Sequence, residues 1–128
     1  MPQIDAIIFK NKGKRKTLTL VLDEDDDILA SIKQGMRQHG LKEARVDDMQ
    51  GTIKEGVVSF MDGSQYKAKN LASQPIIMAS GNYKLSFDEL FGSMHVTTAG
   101  KNHLTATFVK GKAAQDLQIK LSFIEIEE

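Results

Sequence analysis

Apolar and polar residues alternate along much of this chain. In "RKTLTLVLD", Leu18, Leu20 and Leu22 fall on one side and Thr17, Thr19 and Val21 on the other. That period of two, with β-branched residues, predicts a strand. "LQIKLSFIEI" repeats the pattern near the end, with Leu117, Ile119, Leu121 and Phe123 on one face. "DEDDDILASIKQGMRQHG" breaks it. Ile28, Leu29, Ile32 and Met36 recur at helical spacing, which predicts one main helix over about 26–39. One of Asp25, Asp26 and Asp27 is placed to cap its exposed N–H groups, and the acidic cluster suits the positive end of the helix dipole. His39 ends the helix, where a cation is favoured, Gly40 is a natural C′ residue, and Leu41 is placed to fold back on the last turn. Gly35 should cost roughly 1 kcal/mol against Ala inside a helix, so it predicts close approach to a strand.

The remaining segments read as β. "IDAIIFK" (Ile4 to Lys10) predicts a strand, followed by the polar turn "NKGKRK". "ARVDDMQGTIKEGVVSFM" contains two apolar stretches parted at Gly51 and Gly56, where bulges or turns are expected. "MDGSQ" carries the Asp-Gly pair of a tight hairpin. "QYKAKNL" predicts an edge strand guarded by Lys67 and Lys69. "PIIMASG" predicts a buried strand opened by Pro75 and closed by Gly81, and "SMHVTT", the turn "AGKN" and "HLTATFVK" a further hairpin. One early helix and many strands make an α+β domain. At 128 residues the expectation is a single domain spanning 1–128.

Composition narrows the chemistry. The chain has no Cys, which excludes disulfides, a thiolate zinc site and a thiol nucleophile and fits a cytoplasmic setting. No apolar stretch approaches the ~20 residues of a membrane helix, and the N-terminus lacks the order of a secretory signal, so no membrane role is expected. Lys+Arg and Asp+Glu both number 17, a formal net charge of zero, so any nucleic-acid contact must rest on a local patch. The patch on offer is the basic turn 10–16, with Lys12, Lys14, Arg15 and Lys16; its plainer reading is a solvated turn.

The three histidines are His39, His95 and His103. Ser93 and His95, two apart, share a strand face, but no orienting acid stands at a recognisable spacing. "GKRK" lacks the setting of a phosphate loop, and "DEDDD" lacks the alternating ligands and central Gly of a calcium loop. No catalytic residue, cofactor or metal is assigned.

The order of these features carries a resemblance. A strand, a capped helix ending "HGL", then "ARVDDMQGTIKEGVVSF", "PIIMASGNY", "SMHV" and a final "FVKG" resembles, from about Thr17 to Phe123, the plant-and-prokaryote conserved (PPC) domain of plant AT-hook proteins and of small standalone prokaryotic proteins. The resemblance implies a mostly antiparallel sheet with the helix packed on it, an architecture shared with acetolactate decarboxylase, and a homotrimer. It also implies a metal-binding trio, a His-x-His pair plus a third His on the next strand. Here Ser93-Met94-His95 stands for the pair and Thr107 for the third His, a poor set for zinc. Asp88 and Glu89 are candidate carboxylates with no spacing that brings them in. The expectation is a homotrimeric non-catalytic binding or scaffold module, with Met36, Met61, Met78 and Met94 supplying core and interface. The alternatives are a small-ligand or degenerate metal-dependent protein with a pocket at Ser93, His95 and Thr107, and DNA association through the basic turn, with DNA or a protein as partner.

Overall fold

The computed structural model describes residues 14–100 and 103–125. The elements in chain order are β1 (Lys14–Leu22), α1 (Ile28–Gln38), β2 (Glu43–Asp62), β3 (Gln65–Ser86), β4 (Glu89–Thr98), β5 (Thr105–Ala113) and β6 (Leu117–Glu125). The strand expected over 4–10 and the start of the basic turn lie outside the described residues.

The helix is shorter than the expected 26–39, because its caps close it at both ends. Asp27 takes an extended conformation, and its carboxylate accepts from the Ala30 N–H at 2.8 Å. At the other end the Leu41 N–H reaches the Met36 carbonyl at 2.8 Å and the Gly40 N–H the Arg37 carbonyl at 3.2 Å. That is a Schellman closure, and it requires the left-handed φ of +65° that Gly40 adopts. Ile28, Ile32, Gly35 and Met36 form the buried stripe. A Cβ on Gly35 would stand 2.8 Å from Cδ2 of Leu20, so the helix does press on strand β1 there.

Among the described residues all strand pairings are antiparallel, in the order β1-β6-β2-β3-β4-β5. Gly51 and Gly56 do not divide the chain as expected. β2 runs 20 residues through both, and β3 runs 22 residues through Pro75. Length lets β2 serve two partners along one edge. Residues 45–50 pair with β6, and residues 53–59 pair with β5. Because β5 also pairs with β4, strands β2, β3, β4 and β5 close into a ring, with β6 and β1 extending the sheet beyond it. The handover falls at Gly51. Its φ is +129°, and a Cβ there would lie 3.1 Å from the Leu117 Cα and 3.0 Å from that residue's Cδ1.

Inside, Val46, Met49, Ile53, Val58, Met94, Val96, Leu117, Ile119 and Leu121 are shut off from solvent and join the helix stripe in one cluster. The four methionines divide: Met36 and Met94 are core, whereas Met61 and Met78 are about half exposed. The acidic loop before α1 is tied down by backbone bonds between Asp25, Asp26 and Ala113, and by Lys54, whose ammonium meets the Asp25 carboxylate at 2.8 Å. That hydrogen bond outweighs desolvation and holds Asp25 below its usual 3.8.

Two outcomes follow. Gly51→Ala combines a strained φ with contact on β6 and should cost about 2–3 kcal/mol by chemical denaturation, more than the roughly 1 kcal/mol expected for Asp27→Ala at the N-cap. In Lys54→Met the Asp25 carboxyl should titrate closer to 3.8 in a side-chain NMR experiment. A depressed folded value stabilises above the unfolded pKa and is lost as pH falls, so the wild type should lose this contribution below about pH 4 and Lys54→Met should lack it.

Candidate functional site

The outer face of the sheet, opposite the core, is where the sequence-predicted residues meet. In a strand alternate side chains share a face, so Ser93 and His95 point outward while Met94 and Val96, which alternate with them, are buried. The register then sets His95 against Ser80 of β3 on one side and Thr107 of β5 on the other, and Thr107 against Ser59 of β2. Directly opposed residues stand roughly 5 Å apart at Cα. Ser93, His95 and Thr107, far apart in their sequence roles, therefore belong to one patch. One step along, the Thr97 and Thr105 hydroxyls are 2.9 Å apart and tie β4 to β5 on the same face.

An open groove of about 510 Å³ runs beside His95, lined by Arg45, Asp47, Ser80, Asn82, Ser93 and His95 among others. Arg45 and Asp47 escaped the sequence reading; a bulge in β2 between Val46 and Asp48, invisible in the alternation pattern, sets Asp47 there. Arg45 Nε meets the Asp47 carboxylate at 2.7 Å. Burial pushes the Asp47 carboxyl up, but hydrogen bonds from Arg45 and Ser122 and the charges of Arg45 and Arg15 outweigh it and hold the group below 3.8. Asp47 thus stays ionised and occupied by its own partners.

His95 is turned to solvent. Its ring is exposed and makes no hydrogen bond among the described residues. His103 precedes β5 and is also exposed, with Nδ1 3.2 Å from the Thr98 carbonyl oxygen. His39 is the helix C-cap, and Asp88 is paired with Arg37 at 3.0 Å. Among the described residues no three His, Asp or Glu side chains converge. An imidazole beside Ser and Thr hydroxyls can exchange hydrogen bonds with a polar guest, but the set offers weak ligands to a transition metal.

The basic segment does not form one patch. Lys12 lies outside the described residues, as does the Lys14 side chain. The strand already begins at Lys14, so Arg15 and Lys16 project to opposite faces. Arg15 Nη1 donates to the Ser122 hydroxyl at 3.1 Å on the outer face, which draws it toward Asp47.

An antiparallel sheet partly rolled into a ring, with one capped helix on its inner side and a polar outer face, defines an α+β domain. The chain belongs to the Plants and Prokaryotes Conserved (PCC) domain family, whose profile matches residues 9–122. Three solved structures share the fold. A metal-containing protein from Archaeoglobus fulgidus superposes with a TM-score of 0.72 at 19% identity, over 88% of this chain and 81% of that one. A plant- and prokaryote-conserved (PPC) protein from Pyrococcus horikoshii gives 0.68 at 20%, over 88% and 81%. A "Putative DNA-binding protein" from Ralstonia eutropha JMP134 gives 0.69 at 15%, over 91% and 85%. Among curated proteins none matches the chain significantly. Among the described residues no helix is long and apolar enough to cross a membrane.

Removing Arg45 leaves Asp47 with its desolvation and fewer counter-charges. In Arg45→Met the Asp47 carboxyl should titrate above its wild-type value, toward or past 3.8, as read by NMR; an unchanged value would show that Ser122 and Arg15 suffice.

Proposed function

We propose that this chain is a single-domain, homotrimeric and non-catalytic binding or scaffold module. The observation that carries this reading is the arm made by the far ends of β2 and β3. Beyond the ring these strands continue as a two-stranded ribbon, and every residue from Met61 to Asn70 is exposed. Cross-strand partners share a face, so Met61/Tyr66 stands on one side of the ribbon, in line with Ser59/Ala68 and Val57/Asn70 where β2 still pairs with β5. Met61 is 54% and Tyr66 73% exposed. A two-stranded ribbon is marginal alone in water, and an apolar side on it gains stability when another surface covers it. Ile77 and Met78 further along β3 and Val109 on β5 add exposed apolar area. A second copy is the cover favoured here, because zero net charge leaves little repulsion between copies. Three is the number the family resemblance implies. The non-catalytic part of the reading is supported by the partners of His95, which are hydroxyls, and by an Asp47 already committed to Arg45.

Light scattering at micromolar concentration is expected to give a mass near three times 14.2 kDa. A monomer would overturn the assembly. The double variant Met61→Lys/Tyr66→Lys should shift the mass toward one copy without unfolding the domain, since neither residue is in the core; a trimer that survives it removes the arm from the interface.

A second reading, a small-ligand site, is favoured by the Ser80–His95–Thr107 row and the groove beside it. His95→Ala should then weaken polar-ligand binding while leaving the melting temperature within about 2 °C, because exposed substitutions move stability little. The DNA-associated reading draws on what two neighbours of the fold are called and on Lys12, Lys14, Arg15 and Lys16. It requires a gel shift that weakens with added salt.

A further inference from the structure

A second and larger hollow, of about 1090 Å³, lies at the end of the outer face where the chain leaves α1. It shares Arg45 and Asn82 with the His95 groove but extends away from His95 toward β1 and β6. One row of residues crosses it. Arg15 on β1 opposes Ile124 on β6, Glu43 on β2 opposes Lys84 on β3, and Lys84 opposes Phe91 on β4. Lys42, at the start of this edge, also lines it.

The charges do not cancel. Arg45 is neutralised by Asp47 at 2.7 Å, while Lys84 and Glu43 stand 3.7 Å apart with both side chains mostly in solvent. Such an exposed pair holds its partners weakly. Lys42 makes no side-chain hydrogen bond or ion pair among the described residues. Arg15 contributes Nη1 to Ser122 and keeps further N–H donors on its guanidinium. The local balance is therefore positive on a chain whose formal net charge is zero.

Beside these cations the hollow carries apolar surface that the fold leaves uncovered. Phe91 is 51% and Ile124 38% exposed. The Tyr83 ring forms part of the wall from its buried position, and burial pushes its hydroxyl up to about 12, so it adds no negative charge. Cations beside an uncovered aromatic ring match a guest that is anionic at one end and flat and apolar at the other. A simple inorganic anion would leave Phe91 in water, and a neutral aromatic would leave Lys42 and Lys84 unmatched.

We propose that this hollow is a binding site for a small organic anion with an aromatic body, its charged group met by Lys42 and Lys84 and its ring laid on Phe91, while Arg15 and Ile124 form the far side of the hollow. The site is separate from Ser93, His95 and Thr107. It is assembled within one copy of the chain, so it stands whether or not the trimer does.

The test is a fluorescence titration of the intact chain with anilinonaphthalene sulfonate, an aromatic sulfonate that brightens when its ring leaves water. The expected result is one saturable site whose dissociation constant rises roughly fivefold or more in Lys42→Glu, from the reversal of one nearby charge. A similar loss is expected in Phe91→Ala, and weaker binding in added salt. Lys42 and Phe91 lie outside the buried core, so circular-dichroism melts of both variants should match the wild type; Lys42→Ala serves if charge reversal disturbs the fold. Absence of saturable binding, or curves that superpose for wild type, Lys42→Glu and Phe91→Ala, would overturn the proposal.

Discussion

The structure depends on one strand edge being shared. β2 hydrogen-bonds to β6 along its first half and to β5 along its second, and the two partners cannot occupy the same stretch of backbone. Where one gives way to the other, β2 must turn its edge while β6 begins against it. Gly51, at φ +129° and with Leu117 close behind, is the residue at that point. If β5 could not take up the second half of β2, strands β2 to β5 would form an open sheet with β5 as a bare edge, and open edges invite pairing with other chains. Closure also builds the outer face. It brings Thr107 opposite both His95 and Ser59, and it leaves the tips of β2 and β3 with nothing to pair with but each other.

That outer face has two characters. Around His95 it is a polar sheet surface of hydroxyls, an amide and an imidazole, with its one ion pair turned inward on itself. Toward β1 and β6 it becomes cationic and apolar together, because the loop after the helix and the ends of five strands meet there. The difference traces to which outward positions carry which residues. The row through Ser80, His95 and Thr107 has no carboxylate, ammonium or guanidinium, whereas the row through Arg15, Glu43, Lys84 and Phe91 has three such charges and an aromatic ring. Any partner of the domain meets these two surfaces as separate chemistries on one continuous sheet.

Helix and strand types were legible because each depends on neighbours a few residues away. Asp27, Gly40 and Leu41 cap α1 through contacts within its own terminal turns, and Gly35 announced the approach of Leu20 through the absence of a side chain. Strand length was not legible. Gly51, Gly56 and Pro75 look like breaks because in isolation they weaken a strand, yet here each is held by hydrogen bonds to a partner far along the chain. The candidate site was legible only as names. Ser93 and His95 share a face by simple alternation, but Arg45 and Asp47 reach the groove through pairing and a bulge. No local pattern marks them.

By itself, the order of residues determined an α+β chain with one capped helix and several amphipathic strands. Periodicity and capping are local, and local energies can be read locally. Tertiary structure alone decided that β2 serves two partners, that His95 faces Ser80 and Thr107, and that Arg15 and Lys16 part to opposite sides of the sheet. Those outcomes depend on strand register, which is chosen by the whole set of buried side chains at once, and no short stretch of sequence contains that choice.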